Sequence, residues 1–189
     1  LIRYADDAVL VFANEADARR VLDVLPKRFG KYGLMLHPEK TRLVAFKRPP
    51  LWAAKSGIGS FDLLGFAHYW TKSRNGYWVI KRKTAKSRFQ RALKRVAEWC
   101  REHRHMPVRC QVRILGQKLR GHYGYYGITG NSQAVARFFH EVFATWRKWL
   151  DRRSQHRHMP WNRFKRLLER HPLPVPICVH SLYRPAAKP

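Results

Sequence analysis

The sequence predicts an α+β chain: antiparallel strands with one helix first, then an all-helical stretch. Three observations predict it. Up to Lys83 the chain reads as short apolar, β-prone runs parted by turn residues. From Thr84 onward apolar residues recur at helical spacing. The charge also steps near Arg82: residues 1–80 carry 13 Lys/Arg against 7 Asp/Glu, and residues 81–189 carry 26 against 5. The expected units are therefore 1–83 and 84–189.

Leu1–Tyr4 and Ala8–Phe12 are apolar runs broken by Ala5-Asp6-Asp7, which reads as a hairpin with acidic residues at its tip. Asn14 offers an N-cap, with Asp17 at the capping-box position. Ala18, Val21, Leu22, Leu25 and Phe29 continue at helical spacing, Pro26 should kink that helix, and Gly30 and Gly33 can end it. Leu34–Leu36 and Arg42–Phe46 read as strands around the turn His37-Pro38-Glu39-Lys40, followed by a Pro-, Gly- and Lys-rich loop over 47–60. Phe61–Lys72 and Tyr77–Lys83 read as a second hairpin turned at Asn75-Gly76.

Thr84 is a plausible cap for a helix with Phe89, Leu93, Val96 and Cys100 on one face. Pro107 suits the first turn of the next, with Val108, Val112, Leu115 and Leu119 inward. A Gly/aromatic segment, His122–Gly127, is expected to intervene. Asn131 or Ser132 then caps a helix carrying Val135, Phe138, Phe139, Val142, Phe143, Trp146 and Leu150. Pro160 opens a shorter helix with Phe164, Leu167 and Leu168, which the stretch Pro172–Pro176 stops.

The chain has 189 residues, is 45% hydrophobic and carries a formal net charge of +27. It is hydrophobic enough for a packed core. So large an excess of cations calls for a polyanionic partner, because Lys and Arg that neutralise phosphates release counterions. A membrane surface is the rival polyanion, but no apolar run approaches the ~20 residues a spanning helix needs. The 13% aromatic content favours nucleic acid, since rings stack on unpaired bases. Three cysteines, with no signal peptide, suggest reduced thiols and a cytoplasmic protein. Cys100, His103, His105 and Cys110 include metal-capable types, but their spacing fits no common zinc pattern.

Adjacent carboxylates at a tight turn repel each other and persist readily where a divalent cation neutralises them. An Asp pair at a turn is usually a plain surface turn. Mg²⁺ takes a few carboxylate oxygens together with water and substrate phosphates, and paired ions align an attacking hydroxyl with a phosphate.

Here the flanks add to that reading. Tyr4-Ala5-Asp6-Asp7, set between apolar runs, resembles the catalytic signature of reverse transcriptases. Gly33-Leu34-Met35-Leu36-His37-Pro38-Glu39-Lys40-Thr41 resembles the following block in group II intron reverse transcriptases. Phe61-Asp62-Leu63-Leu64-Gly65-Phe66 resembles the next, which in polymerases forms the primer grip. The stretch from Leu119 through Tyr126, Gly127 and Gly130-Asn131-Ser132 resembles the maturase-specific thumb. So does the tail Arg153-Ser154-Gln155, Trp161, Phe164, Leu167-Leu168 and His180-Ser181-Leu182-Tyr183.

The resemblance implies the end of a polymerase palm followed by an all-α thumb, in an RNA-directed DNA polymerase that also assists splicing. It implies Mg²⁺ on Asp6 and Asp7, Tyr4 and Ala5 near the primer end, and Lys40 at the pyrophosphate leaving group, where a solvated turn lysine is the plain alternative. Leu64, Gly65 and Phe66 would support the primer strand. The implied partners are intron RNA, an RNA/DNA primer-template, and an upstream fingers and palm portion of the same protein. That portion would bring a further metal-binding aspartate. Palm strands without it would leave an edge prone to association, so a homodimer is a further expectation.

The basic region bears the phosphate contacts. Lys83, Lys86, Arg91, Arg113 and Lys118 lie on faces opposite the apolar ones, as do Arg120, Arg152 and Arg153. Such dense like charge is relieved when phosphate lies between the cations. Tyr123, Tyr125 and Tyr126 are expected in the core more than against bases. A non-catalytic RNA-binding splicing cofactor, or a decayed remnant, is the competing function.

Overall fold

A computed structural model describes residues 1–52, 59–155 and 158–180. Among them are five helices and two small antiparallel sheets, a mixed architecture compatible with α+β. Two compact units are formed. One holds Leu1–Leu64 and His68–Lys81; the other holds Gly65–Ala67 and the chain from Arg82 onward.

In the first unit, β1 (Ile2–Tyr4) and β2 (Asp7–Val9) pair antiparallel with Tyr4 opposite Asp7, leaving Ala5-Asp6 as a two-residue turn. The helix α1 (Glu15–Gly30) follows Asn14, whose side chain makes no capping hydrogen bond. The expected capping box is thus absent, and ion pairs of Glu15 with Arg19 and Asp17 with Arg20 use those carboxylates instead. Pro26 lies inside α1 without ending it. The helix closes as a Schellman motif: Leu34 N–H bonds Phe29 O and Gly33 N–H bonds Gly30 O, both at 3.1 Å, with Gly33 at φ +68°.

Leu34–Leu36 and Arg42–Phe46 are not strands. A strand exists by its ladder partner, and among the described residues neither run has one. The turn between them does form, as Lys40 and Thr41 N–H both bond His37 O.

The second sheet has the order β3-β4-β5, with β3 Ser60–Leu63, β4 Phe66–Lys72 and β5 Trp78–Thr84. The expected single strand Phe61–Lys72 is therefore two strands, split by a two-residue turn at Leu64-Gly65. The β4–β5 hairpin turns at Asn75-Gly76 as expected, with Ser73 N–H bonded to Tyr77 O at 2.8 Å. Aromatic packing holds the preceding loop to this sheet: Phe46 packs on Phe61 and Trp70, and the buried Trp78 indole N–H donates to Pro50 O at 2.8 Å.

The second unit contains α2 (Lys86–Glu102), α3 (Val108–Tyr126), α4 (Ser132–Asp151) and α5 (Trp161–Arg170). Their apolar stripes meet in one core: Val96 and Cys100 from α2, Leu115, Leu119 and Tyr123 from α3, Val135, Phe138, Val142, Trp146 and Leu150 from α4, and Phe164 from α5. His122–Tyr126 is not an interruption but the last turns of α3. His122 and Tyr123 fall on its buried face at helical spacing from Leu115 and Leu119, which outweighs the low helix propensity of Gly121 and Gly124.

Thr84 does not cap α2, because its polar groups are used elsewhere. The Asn131 amide accepts from Thr84 N–H and donates to Thr84 Oγ1, both at 2.9 Å, and donates to Tyr126 O at 2.8 Å. Asn131 precedes α4 but its side chain makes no capping bond either. Beyond α5 an extended segment crosses α3. Tyr123 Oη donates to Pro174 O, His180 N–H to Gly127 O, and Thr129 N–H to His180 O.

Candidate nucleic-acid interface and acidic hairpin

Asp6 stands in the β1–β2 turn and Asp7 opens β2 opposite Tyr4, all three exposed. Ala5, the first central residue of that turn, has φ +49°. For a residue with a Cβ this conformation costs roughly 1–2 kcal/mol. Leu64 shares the same φ and the same position in the β3–β4 turn, and these are the two non-glycine residues with positive φ among the described residues. Both motifs singled out by sequence thus contain a turn with local backbone strain, a property that clusters at ligand-binding sites.

Two adjacent exposed carboxylates suit a hard cation that completes its shell with water and phosphate oxygens. Among the described residues no group of three or more His, Cys, Asp or Glu is placed to hold a metal. Lys40 is exposed on the separate His37–Lys40 turn. Cys100 lies in the helical core, where burial pushes its thiol up to about 12 against the opposing pull of Lys118.

The helical unit presents its cations outward. Lys83, Lys86, Arg91, Arg113, Lys118, Arg120 and Arg152 are exposed. Arg88, Lys94 and Arg95 extend the α2 face. Carboxylate partners are scarce: Lys94 faces Glu98 and Arg137 faces Glu141, each at 3.9 Å across an exposed helix turn. Pairs of that kind contribute little. Several cations lie over rings, Lys118 over Trp99 at 5.7 Å and Arg152 over Trp149 at 5.2 Å. Arg153 departs from the expected role. It is half-buried, and its Nη2 donates to His105 O and Met106 O at 3.1 Å, tying α4 to the α2–α3 turn.

Of the three tyrosines, Tyr123 is core, with burial holding its hydroxyl well above the usual range. Tyr125 is exposed and stacks on Phe66, ring centroids 5.8 Å apart. Tyr126 is half-buried, edge-on to Phe66 at 5.3 Å. Its hydroxyl is also raised, by burial first and then by Tyr125, with Arg88 pulling the other way.

Sequence reading missed three residues here. Arg88 looked like any other surface arginine. Gln111 and Asn131 are buried amides whose partners lie far along the chain, a signal no local pattern carries. Ser181, Leu182 and Tyr183 lie outside the described residues. Compared with known proteins, the chain matches no family model, no curated protein and no solved structure.

Proposed function

We propose that this chain is a portion of an RNA-directed DNA polymerase of the group II intron reverse transcriptase/maturase type, with the helical unit gripping structured RNA and primer-template. The observation that carries the reading is the helical unit's outward cation face, which has few carboxylates to neutralise it. Phosphate relieves that repulsion, and structured RNA offers phosphates and 2′-hydroxyls in fixed array.

In this reading Asp6 and Asp7 hold Mg²⁺ against the primer end and the incoming phosphates. Tyr4 and Ala5 border the primer, Lys40 meets the leaving group, and Leu64, Gly65 and Phe66 support the primer strand. The ion supplies charge stabilisation for phosphoryl transfer, while the strained Ala5-Asp6 turn fixes where the carboxylates stand. The two-stranded β1–β2 ribbon is marginal alone. Its unpaired edges suit further strands from an upstream palm portion, or a second copy of this chain. Three free thiols suit a cytoplasmic location, and no described helix is long and apolar enough to cross a membrane.

The second reading, a non-catalytic RNA-binding splicing cofactor, is favoured by the exposure of Asp6 and Asp7, whereas the helical unit has a well-packed core of its own. One experiment separates the two. Primer extension on an RNA template is measured with the upstream portion joined. The polymerase reading expects Mg²⁺-dependent synthesis that Asp6→Asn abolishes while RNA binding persists. Synthesis indifferent to Asp6→Asn rejects it.

A further inference from the structure

Gly65, the second residue of the β3–β4 turn, and the first residues of β4 are built into the helical unit. Gly65–Ala67 belongs to the compact unit that contains the helices. Ala85 N–H, at the start of α2, donates to Gly65 O at 2.9 Å. Phe66 stacks on Tyr125 and meets the edge of Tyr126. Beneath the turn the fit is tight: a Cβ added at Gly65 would lie 3.0 Å from Tyr126 Oη and 3.7 Å from Arg88 Cγ. Gly65 also has φ +77°, a conformation side chains rarely adopt. Backbone position here is therefore set by the Tyr126 ring and hydroxyl, at the end of the second helix after the turn. Arg88, Lys83 and Lys86 are exposed beside this segment and provide cationic surroundings for a phosphodiester.

We propose that Tyr126, seated under Gly65 and against Phe66, is a positioning residue that presents the Leu64–Phe66 turn to the 3′ end of a primer strand. This rests on the polymerase reading above for the identity of the ligand. Tyr126 touches no nucleic acid in this role. It acts through the turn, and Arg88 holds the outer side of the same contact. The consequence is a division of labour: the helical cation face binds duplex of any kind, whereas the tyrosine-seated turn discriminates a recessed 3′ end.

The test uses the full chain and two labelled RNA/DNA hybrids, one with a recessed DNA 3′ end and one blunt. The unmodified chain is expected to prefer the recessed end. Tyr126→Ala is expected to lower affinity for the recessed hybrid about tenfold and leave blunt-hybrid affinity within about twofold. Gly65→Ala should lose the same preference. Tyr126→Phe, which removes the hydroxyl that the new methyl would strike, should restore part of it in the double variant. Circular dichroism melting of each variant checks that the helical unit is folded. Absence of any preference in the unmodified chain, equal loss on both hybrids in a folded Tyr126→Ala, or no rescue by Tyr126→Phe overturns the proposal. Primer extension with the upstream portion joined is scored separately: failure there removes the polymerase reading, while the end preference stands or falls on the binding data.

Discussion

Gln111 Oε1 accepts a 2.8 Å hydrogen bond from the Trp146 indole N–H, joining α3 to α4 inside the core. The other end of the same amide donates to the carbonyls of His103, Arg104 and Met106, at 3.1, 3.1 and 2.8 Å. One side chain thus satisfies the turn that reverses α2 into α3. Gln111→Leu keeps the volume and strands the Trp146 indole N–H and the Arg104 carbonyl. A loss of roughly 2–4 kcal/mol is expected from the buried unsatisfied partners, read as a lower urea midpoint at unchanged slope.

Asn131 makes the second such lock. Its amide must accept from Thr84 N–H and donate to Thr84 Oγ1 and Tyr126 O. Asn131→Asp sets a carboxylate oxygen against the Tyr126 carbonyl, where a donor is required, so it should destabilise more than Asn131→Ala, itself costing about 2 kcal/mol. Thermal melting that ranks Ala below Asp in stability would contradict the assigned amide orientation.

His122 makes stability pH-dependent. It is buried against Phe138, ring centroids 3.6 Å apart, and burial lowers its pKa from 6.5 to about 4. Its folded pKa is depressed, so the unfolded chain binds the proton first as pH falls. The expected loss begins near pH 6.5 and levels off near pH 4, at most roughly 3 kcal/mol in total. His122→Phe should flatten the stability profile across that window, measured by urea unfolding at each pH.

Thiol reactivity should rank by exposure. Cys178 is exposed, Cys110 half-buried and Cys100 buried in the core with its thiol pushed up to about 12. A thiol reagent followed by mass spectrometry should label Cys178 first and Cys100 only under denaturing conditions.

The cation face makes a contrast within one residue type. Arg113→Ala and Arg120→Ala should each reduce the slope of log affinity against log salt for structured RNA by about 1. Arg153→Ala should lower melting temperature instead, because its guanidinium serves the carbonyls of His105 and Met106. An RNA affinity insensitive to salt would remove the phosphate-gripping reading.

Helix identity was legible wherever apolar spacing was regular, as along Phe89, Leu93, Val96 and Cys100. Proline placement also marked the starts of α3 and α5, because Pro107 and Pro160 cannot extend a helix backward. The strands around His37–Lys40 misled, since β-prone composition says nothing about whether a partner exists. Leu64-Gly65 was legible as a motif but not as a turn, because leucine at positive φ contradicts local preference and is held by its surroundings. The aspartate pair was plain in the sequence, whereas the seating of Gly65 over Tyr126 spans 61 residues and leaves no local trace.

The strap from Leu173 to His180 bears on how the protein is made. His180 pairs with Ile128 in a parallel bridge, its ring meets Gly124 O at 2.8 Å, and Leu173 is part of the core. Helices α2 to α4 leave the ribosome long before these residues do. Their bundle is therefore completed only after translation has passed position 180 and the nascent chain has cleared the exit tunnel, and until then the apolar surface that Leu173 covers stays open to water.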